Sequence, residues 1–461
     1  MISRRLLLAC LASLAAVAGC ATAASSQQDL PPIVFVHGNG DSASVWQATI
    51  WRFESNGWPR SRLVALDIPY PLARDDDAKP QPGRSSTAEQ MAYLKAEVDK
   101  VIAQTGAGKV VLFGLSRGGP VARNYVDNGG GDRTVSHVVI GGGINHGLWS
   151  GTIDGLPAGS EFAGSGPYMT ALNRPKNAAG DEVVGPVKWL TIRSDSNDKY
   201  AQPDGLWLGK RGVSTGVTYA APELKGATNV VIPRIDHRET ALSPASFAAA
   251  YRFITGKDPA VTAIKPEEKV VLGGRVTGLG VSSTDPASGN GANNLPVPGA
   301  RVEIYAVDSN TGERLGAPAY AATVGVDGVW GPINASPTAR YEFVLSAPSY
   351  ATLHTYRSPF PRSSSIVHLR AERIADADKN APAIVRMYRP RGYLDPGRDK
   401  MVFDGQSPPP GAVLGAGIAT STIKPAFDAP RAITAEFNGE RVIGRTWPAK
   451  DGHVTTLELT Y

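Results

Sequence analysis

Cysteine is all but missing from this chain of 461 residues: there are two, Cys10 and Cys20, both close to the start. From Ala21 onward no thiol is present, so no internal disulfide and no thiolate metal site can form, and stability has to come from packing. Long apolar runs are equally scarce. Leu6 to Val17 is one, and it is too short to span a bilayer and stay there. Charge of one sign is also lacking. The formal net charge is +5, and basic and acidic residues are interspersed without Lys/Arg tracts beyond short pairs, which argues against a nucleic-acid partner. What is present is 42% hydrophobic content, enough at this length for two or three domains with their own cores.

Ser3-Arg4-Arg5 precedes the apolar run, and Ala18-Gly19-Cys20 with a small-residue, polar stretch to Gln28 follows it. This is the pattern of a secretory signal peptide, so residues 1–28 are expected to be removed or to anchor rather than fold. The paired arginines resemble a twin-arginine export address, although they would also serve the general secretory route. Val17-Ala18-Gly19-Cys20 resembles a lipoprotein cleavage box, which makes Cys20 the lipidation candidate and a membrane or cell surface the expected location. Cleavage after Ala21-Thr22-Ala23 would instead give a soluble periplasmic or extracellular protein. Loss of Arg4 and Arg5 takes the formal charge from +5 to +3, too little to argue for electrostatic steering.

Beyond the leader, short apolar runs alternate with segments of helical period, the signature of crossover units and a mostly parallel sheet. Ile33 to Val36, Leu63 to Leu66, Lys109 to Phe113, Val135 to Ile140, Val187 to Ile192 and Asn229 to Ile232 read as strands. Helices are expected after Ser42 or Ser44, from the capping box Ser86-Thr87-Ala88-Glu89 through Gln104, and over Pro244 to Ile254. The pentapeptide Gly114-Leu115-Ser116-Arg117-Gly118 sits between a strand and a helix, the context of a nucleophile elbow. Its glycines let the backbone double back and present the Ser116 hydroxyl at the sheet edge. Together these make an α/β-hydrolase pattern over 29–257, in which ligands meet the carboxyl ends of the strands.

A serine hydroxyl needs a neutral imidazole to take its proton and a carboxylate to hold that imidazole's tautomer. In this pattern the chain order is serine, acid, histidine. Of the seven histidines, His237 alone follows both the serine and the acid within the domain, directly after the strand Val230 to Ile232. For the acid, the loop after Ile192 offers Asp195 and Asp198. Asp198 is preferred because it stands further out, whereas Asp195 is close enough to the strand end to form an Asx turn. Asp204 remains as an outside choice. Backbone N–H groups of Arg117 and Asn39, the latter in the glycine loop His37-Gly38-Asn39-Gly40, are the expected oxyanion donors.

The blocks Ile33 to Gly40, Gly57-Trp58, Leu63 to Asp67 and Gly114 to Gly119, with looser matches at Ser194 to Asp198 and Asp236-His237, resemble secreted bacterial lipases over Pro32 to about Thr255. That resemblance implies triad roles for Ser116, Asp198 and His237 and oxyanion roles for Asn39 and Arg117. Leu115 and Arg117 depart from the family, which often has His and Met there, and the loops are longer, so substrate choice is left open. The segment 147–185, with Trp149, Phe162, Tyr168, Met169 and eight glycines, is a candidate lid; the alternative is a surface loop packing its own aromatics. Asp75-Asp76-Asp77 lacks the ligand spacing of a cation site, and neither a metal nor a cofactor is assigned.

A Pro/Lys/Glu-rich linker over 258–268 leads into β-rich sequence. Val270 to Val276, Ala300 to Val307, Tyr341 to Leu345 and Ser365 to Leu369 alternate as strands and argue for a β-sandwich over 269–373. Val297 to Val302, Asp327-Gly328-Val329-Trp330 and Tyr350 resemble a transthyretin-like or carboxypeptidase-regulatory-like module. The last segment, 374–461, is either a second small domain or the completion of this one. Exposed Trp330, Tyr350 and Tyr356 would favour binding, and buried rings a core role. The chain thus reads as an exported serine ester hydrolase for lipids or other apolar esters. A polyester depolymerase, a surface-anchored binding protein with an inactive hydrolase domain, and a peptidase or amidase on the same triad are the alternatives.

Overall fold

Six of the short apolar runs become six parallel strands: β1 (Ile33–Val36), β2 (Leu63–Ala65), β3 (Val110–Leu115), β4 (Val135–Gly141), β5 (Lys188–Arg193) and β6 (Thr228–Val231). In this computed structural model, which describes residues 30–148, 156–201, 212–217, 223–279, 292–415 and 417–461, they are ordered β2-β1-β3-β4-β5-β6. Residues 1–28, Cys20, Trp149 and Asp204 lie outside the described residues. Every residue of β1 and β3 is buried. Their continuous apolar character follows from having both sheet faces covered.

Period two decides which face each side chain serves. Val34, Val36 and Leu112 point to one side, where they pack with Leu94 and Val98 of helix α2 (Thr87–Thr105) and with Val121 and Tyr125 of α3 (Gly118–Asn128). Ile33, Phe35 and Phe113 point to the other, against Ile50 and Phe53 of α1 (Gln47–Ser55) and Phe247 of α4 (Pro244–Thr255). The expected capping box is complete: Ser86 Oγ accepts from the Glu89 N–H at 3.2 Å and Glu89 Oε2 accepts from the Ser86 N–H at 2.7 Å.

Past Gly256 the described residues form β-sheets, with two short 3-10 turns at Asp376–Asp378 and Ala449–Asp451. One sheet takes Ala292–Pro296, Val270–Leu279 and Val329–Ala335, with Leu369–Ala371 joining Val270–Leu279. A seven-stranded sheet runs in the order Tyr320–Thr323, Arg301–Val307, Arg340–Ser346, Thr352–Arg357, His453–Glu458, Val385–Tyr388, Thr420–Ile423. It therefore mixes strands from before and after residue 374, and the last segment completes the sheet rather than standing apart. A third sheet, Met401–Phe403, Ala432–Phe437 and Glu440–Arg445, lies over it. The strand expected at Ser365 to Leu369 begins only at Leu369. Before it, the chain runs irregularly beside Val271 and Gly273, held through Ser364 and Val367. Trp330 and Tyr356 are fully buried and Tyr350 half-buried, so these rings serve the core.

The β region is not a loosely tethered module. The apolar cluster inside it includes Ala48 and Trp51 of α1, and Trp51 Nε1 donates to the Ser363 carbonyl at 2.8 Å. The expected linker also packs down: Val261 and Thr262 carbonyls accept from Asn56 and Arg52 of the α1 end. Across the same interface His368 Nε2 donates to Asp67 Oδ2 at 2.7 Å, and the Ala43 N–H donates to Asp67 Oδ1 at 2.9 Å. Burial alone would raise the Asp67 carboxyl, but His368 and the Ala43 N–H hold it at about 2, against its ordinary 3.8. A carboxyl depressed on folding stabilises above its unfolded value and loses that contribution as pH falls through the folded one. Stability is therefore expected to drop by about 2 kcal/mol from this group between pH ~4 and ~2. Urea unfolding across that range checks it, and Asp67→Asn should flatten this part of the curve.

Candidate active site

Ser116 closes β3 and opens α3 with φ of 53°, a left-handed conformation that a non-glycine residue holds only where its surroundings enforce it. The enforcement is visible. The Ser116 N–H donates to the Gly141 carbonyl at 2.8 Å, and the Ser116 carbonyl accepts from the Gly119 N–H at 2.9 Å. Gly114 and Gly118 are required by space: a Cβ on Gly118 would fall 2.3 Å from the Val36 carbonyl oxygen, and one on Gly114 would fall 2.6 Å from Gly118. Both contacts are with backbone, which cannot step aside. Gly118→Ala is accordingly expected to destabilise the protein by about 3 kcal/mol, readable as a lower urea midpoint.

His237 is carried by the loop after β6, and its ring is buried. Its Nδ1 donates to Asp198 at 3.0 Å, while its Nε2 is buried and, among the described residues, without a hydrogen-bond partner. Gly141 and Gly142 link the surroundings of the ring to those of the serine: Gly141 binds the Ser116 amide, and a Cβ on Gly142 would sit 3.0 Å from His237 Cε1 and Nδ1. The Tyr200 ring lies 4.4 Å from the imidazole on another side, fixing its plane.

The two acids of the β5 loop have separate jobs. Asp195 accepts from the Asn197 N–H at 3.1 Å and the Arg234 N–H at 3.0 Å, the Asx turn expected of it. Asp198 accepts from the Tyr200 N–H through one oxygen at 2.9 Å and faces His237.

The glycine loop after β1 approaches the serine closely, since a Cβ on Gly38 would lie 3.2 Å from Ser116 Cβ. Asn39 Oδ1 accepts from the Ala73 N–H at 2.8 Å and so pins this turn. Among the described residues, neither the Asn39 nor the Arg117 N–H finds an acceptor. The Arg117 side chain is buried and forked onto Glu161, at 2.6 and 2.5 Å, with further bonds to the Pro71 and Ser85 carbonyls. That fork ties the candidate lid to the elbow. Met169 is buried too, and Tyr168 OH donates to the Pro120 carbonyl, so part of 156–185 is packed down. Residues 149–155 of the candidate lid lie outside the described residues.

Residues 31–159 match the family model described as alpha/beta hydrolase fold, and residues 268–374 match the one described as lipase C-terminal domain. With its parallel sheet order, the N-terminal domain has the α/β-hydrolase fold. Solved structures are similar to this chain at low identity. The mature form of the lipase BlEst2 from Bacillus licheniformis is 20% identical, covering 49% of this chain and 92% of its own, with a TM-score of 0.35. The propeptide form is 16% identical, covering 90% and 92%, with a TM-score of 0.36. The carboxylesterase CesB (YbfK) from Bacillus subtilis is 16% identical, covering 50% and 85%, with a TM-score of 0.29.

Several residues of the candidate site escape a reading by motif. His37 accepts from the Ile68 N–H at Nε2 and bonds the Gly38 carbonyl through Nδ1; burial lowers its pKa, and neutral it braces the glycine loop. Asp41 pairs with Arg238 at 2.5 Å, joining the loop after β1 to the histidine loop. Lys199 stands over the Tyr393 ring at 4.7 Å; burial, and secondarily Arg238, lower its pKa. Only adjacency in sequence to His37, Asp198 and His237 could have flagged these.

Proposed function

We propose that this chain is an exported serine carboxylic-ester hydrolase acting on lipids or other apolar esters through an acyl-enzyme. The observation that carries the reading is the buried imidazole of His237, bonded to Asp198 at one nitrogen and, among the described residues, unpaired at the other, with Gly142 against its ring and Gly141 on the Ser116 amide. Ser116 Oγ attacks the ester carbonyl carbon while its proton passes to His237 Nε2, and the N–H groups of Arg117 and Asn39 hold the oxyanion. The C–O bond to the alcohol then breaks, and the alcohol leaves with the proton from His237. Water repeats the sequence on the acyl-serine and restores the hydroxyl. Asp198 keeps the ring in the tautomer that exposes Nε2 and stabilises the imidazolium between steps.

Apolar substrates are favoured by the cluster of Ile144, Leu148, Leu156, Tyr200, Val213 and Val217, which borders the same loops. Export rests on the sequence of residues 1–23, with Cys20 as the lipidated residue if the lipoprotein box is used. Nitrophenol release from short and long acyl esters tests the reading. Turnover rising with acyl length until the esters aggregate supports an apolar acyl site. Hydrolysis of peptide or simple amide substrates without ester turnover would contradict it.

A further inference from the structure

One stretch of the C-terminal region grips both loops that carry the acid and the histidine. Asp236, next to His237, is completely buried. Its Oδ1 accepts from the N–H groups of Arg238 and Glu239 at 2.9 and 3.0 Å, capping the helical turn Glu239–Leu242. Its Oδ2 accepts from Arg389 Nη1 at 2.9 Å and from the Tyr393 N–H at 2.7 Å. Arg389 Nη2 and Arg398 Nη1 each bond a Glu239 oxygen at 2.5 Å. Arg238 donates to the Pro390 carbonyl. On the acid loop, Asn197 Nδ2 donates to Asp395 Oδ2 at 2.5 Å.

We propose that Arg389 and Arg398 are positioning residues for His237, so that the C-terminal β region is part of the catalytic apparatus and the hydrolase domain is competent only with it docked. The inference rests on the triad reading above. Two carboxylates flank the general base at positions −1 and +2, Asp236 buried and Glu239 half-buried, and their neutralisation comes from guanidiniums some 150 residues later in the chain. Burial and the adjacent Glu239 push the Asp236 carboxyl upward, and the guanidiniums oppose them. Without the guanidiniums, the loop must swing out to solvate its charges or take up protons; either outcome moves an imidazole whose reach to the serine tolerates little error. A guanidinium fork suits this place because it bridges two carboxylates at once.

The test uses the full chain with Arg389→Gln, Arg389→Lys and Arg389→Gln/Arg398→Gln. Arg431→Gln, which removes an exposed Arg–Asp pair in the same region, is the control. Two readouts are taken well below the melting temperature: kcat and KM on a nitrophenyl ester, and the NMR signal of the His237 Nδ1 proton, assigned through His237→Gln. The expected result is a kcat about 10- to 100-fold lower in Arg389→Gln with KM within about threefold, and a larger loss in the double variant. The His237 proton shifts or broadens, Arg389→Lys recovers part of both, and the control changes neither. Folded Arg389→Gln, or Arg389→Lys if glutamine prevents folding, with wild-type kcat and an unmoved proton would overturn the proposal, whatever its melting temperature. Wild type without esterase activity but with a His237 proton that depends on Arg389 would reject the triad reading while supporting the positioning one.

Discussion

Ser116→Ala is expected to lower ester hydrolysis by at least about ten-thousand-fold while leaving the fold and its unfolding midpoint close to wild type. The size follows from the arrangement: the hydroxyl is the only atom lost, and without it neither His237 nor Asp198 has a proton transfer to serve. Groups that act as one unit fail together, so His237→Ala in the same background should cost almost nothing more. The fold is spared because the elbow is held by backbone, through the Ser116 N–H on Gly141 and the Ser116 carbonyl on Gly119, and alanine keeps both bonds. Steady-state rates on a nitrophenyl ester, with circular dichroism of both proteins, check the prediction.

Asp198→Asn is expected to lower kcat by about ten-thousand-fold, and Asp195→Asn by less than about tenfold. Asparagine at 198 can present its NH2 to His237 Nδ1, which selects the tautomer with the proton on Nε2 and leaves no base for the serine. Among the described residues, Asp195 makes no hydrogen bond to the ring. Its oxygens cap the turn at Asn197 and accept from Arg234, bonds that an amide oxygen can largely reproduce. Comparable losses in the two variants would mean that the carboxylates share the role. A loss in Asp195→Asn alone would reassign it.

How much of this could be read from sequence depended on how local the cause was. The six strands announce themselves because a parallel strand buried on both faces must be apolar throughout, as Ile33–Val36 and Val110–Leu115 are. The capping box at Ser86 and Glu89 and the elbow glycines are rules spanning three or four residues. Position alone suggested Asp198 over Asp195, yet both carboxylates cap their own turns, at the N–H groups of Tyr200 and Asn197. What resisted reading was non-local. Nothing around Arg389 or Arg398 in sequence says that their partners are Asp236 and Glu239, and Trp51 has the helical spacing of any core residue although it serves the β region as well. Which of the two outcomes left open for 374–461 holds was hidden for the same reason: His453–Glu458 pairs with both Thr352–Arg357 and Val385–Tyr388, a connection no window of residues contains.

Covalent labelling of the intact protein with a fluorophosphonate, followed by identification of the modified peptide, tests the central claim most directly. One adduct is expected, on Ser116, that forms rapidly in wild type and is lost in Ser116→Ala and strongly slowed in His237→Gln. Labelling on another residue, or an unlabelled Ser116 in folded wild-type protein, would contradict it.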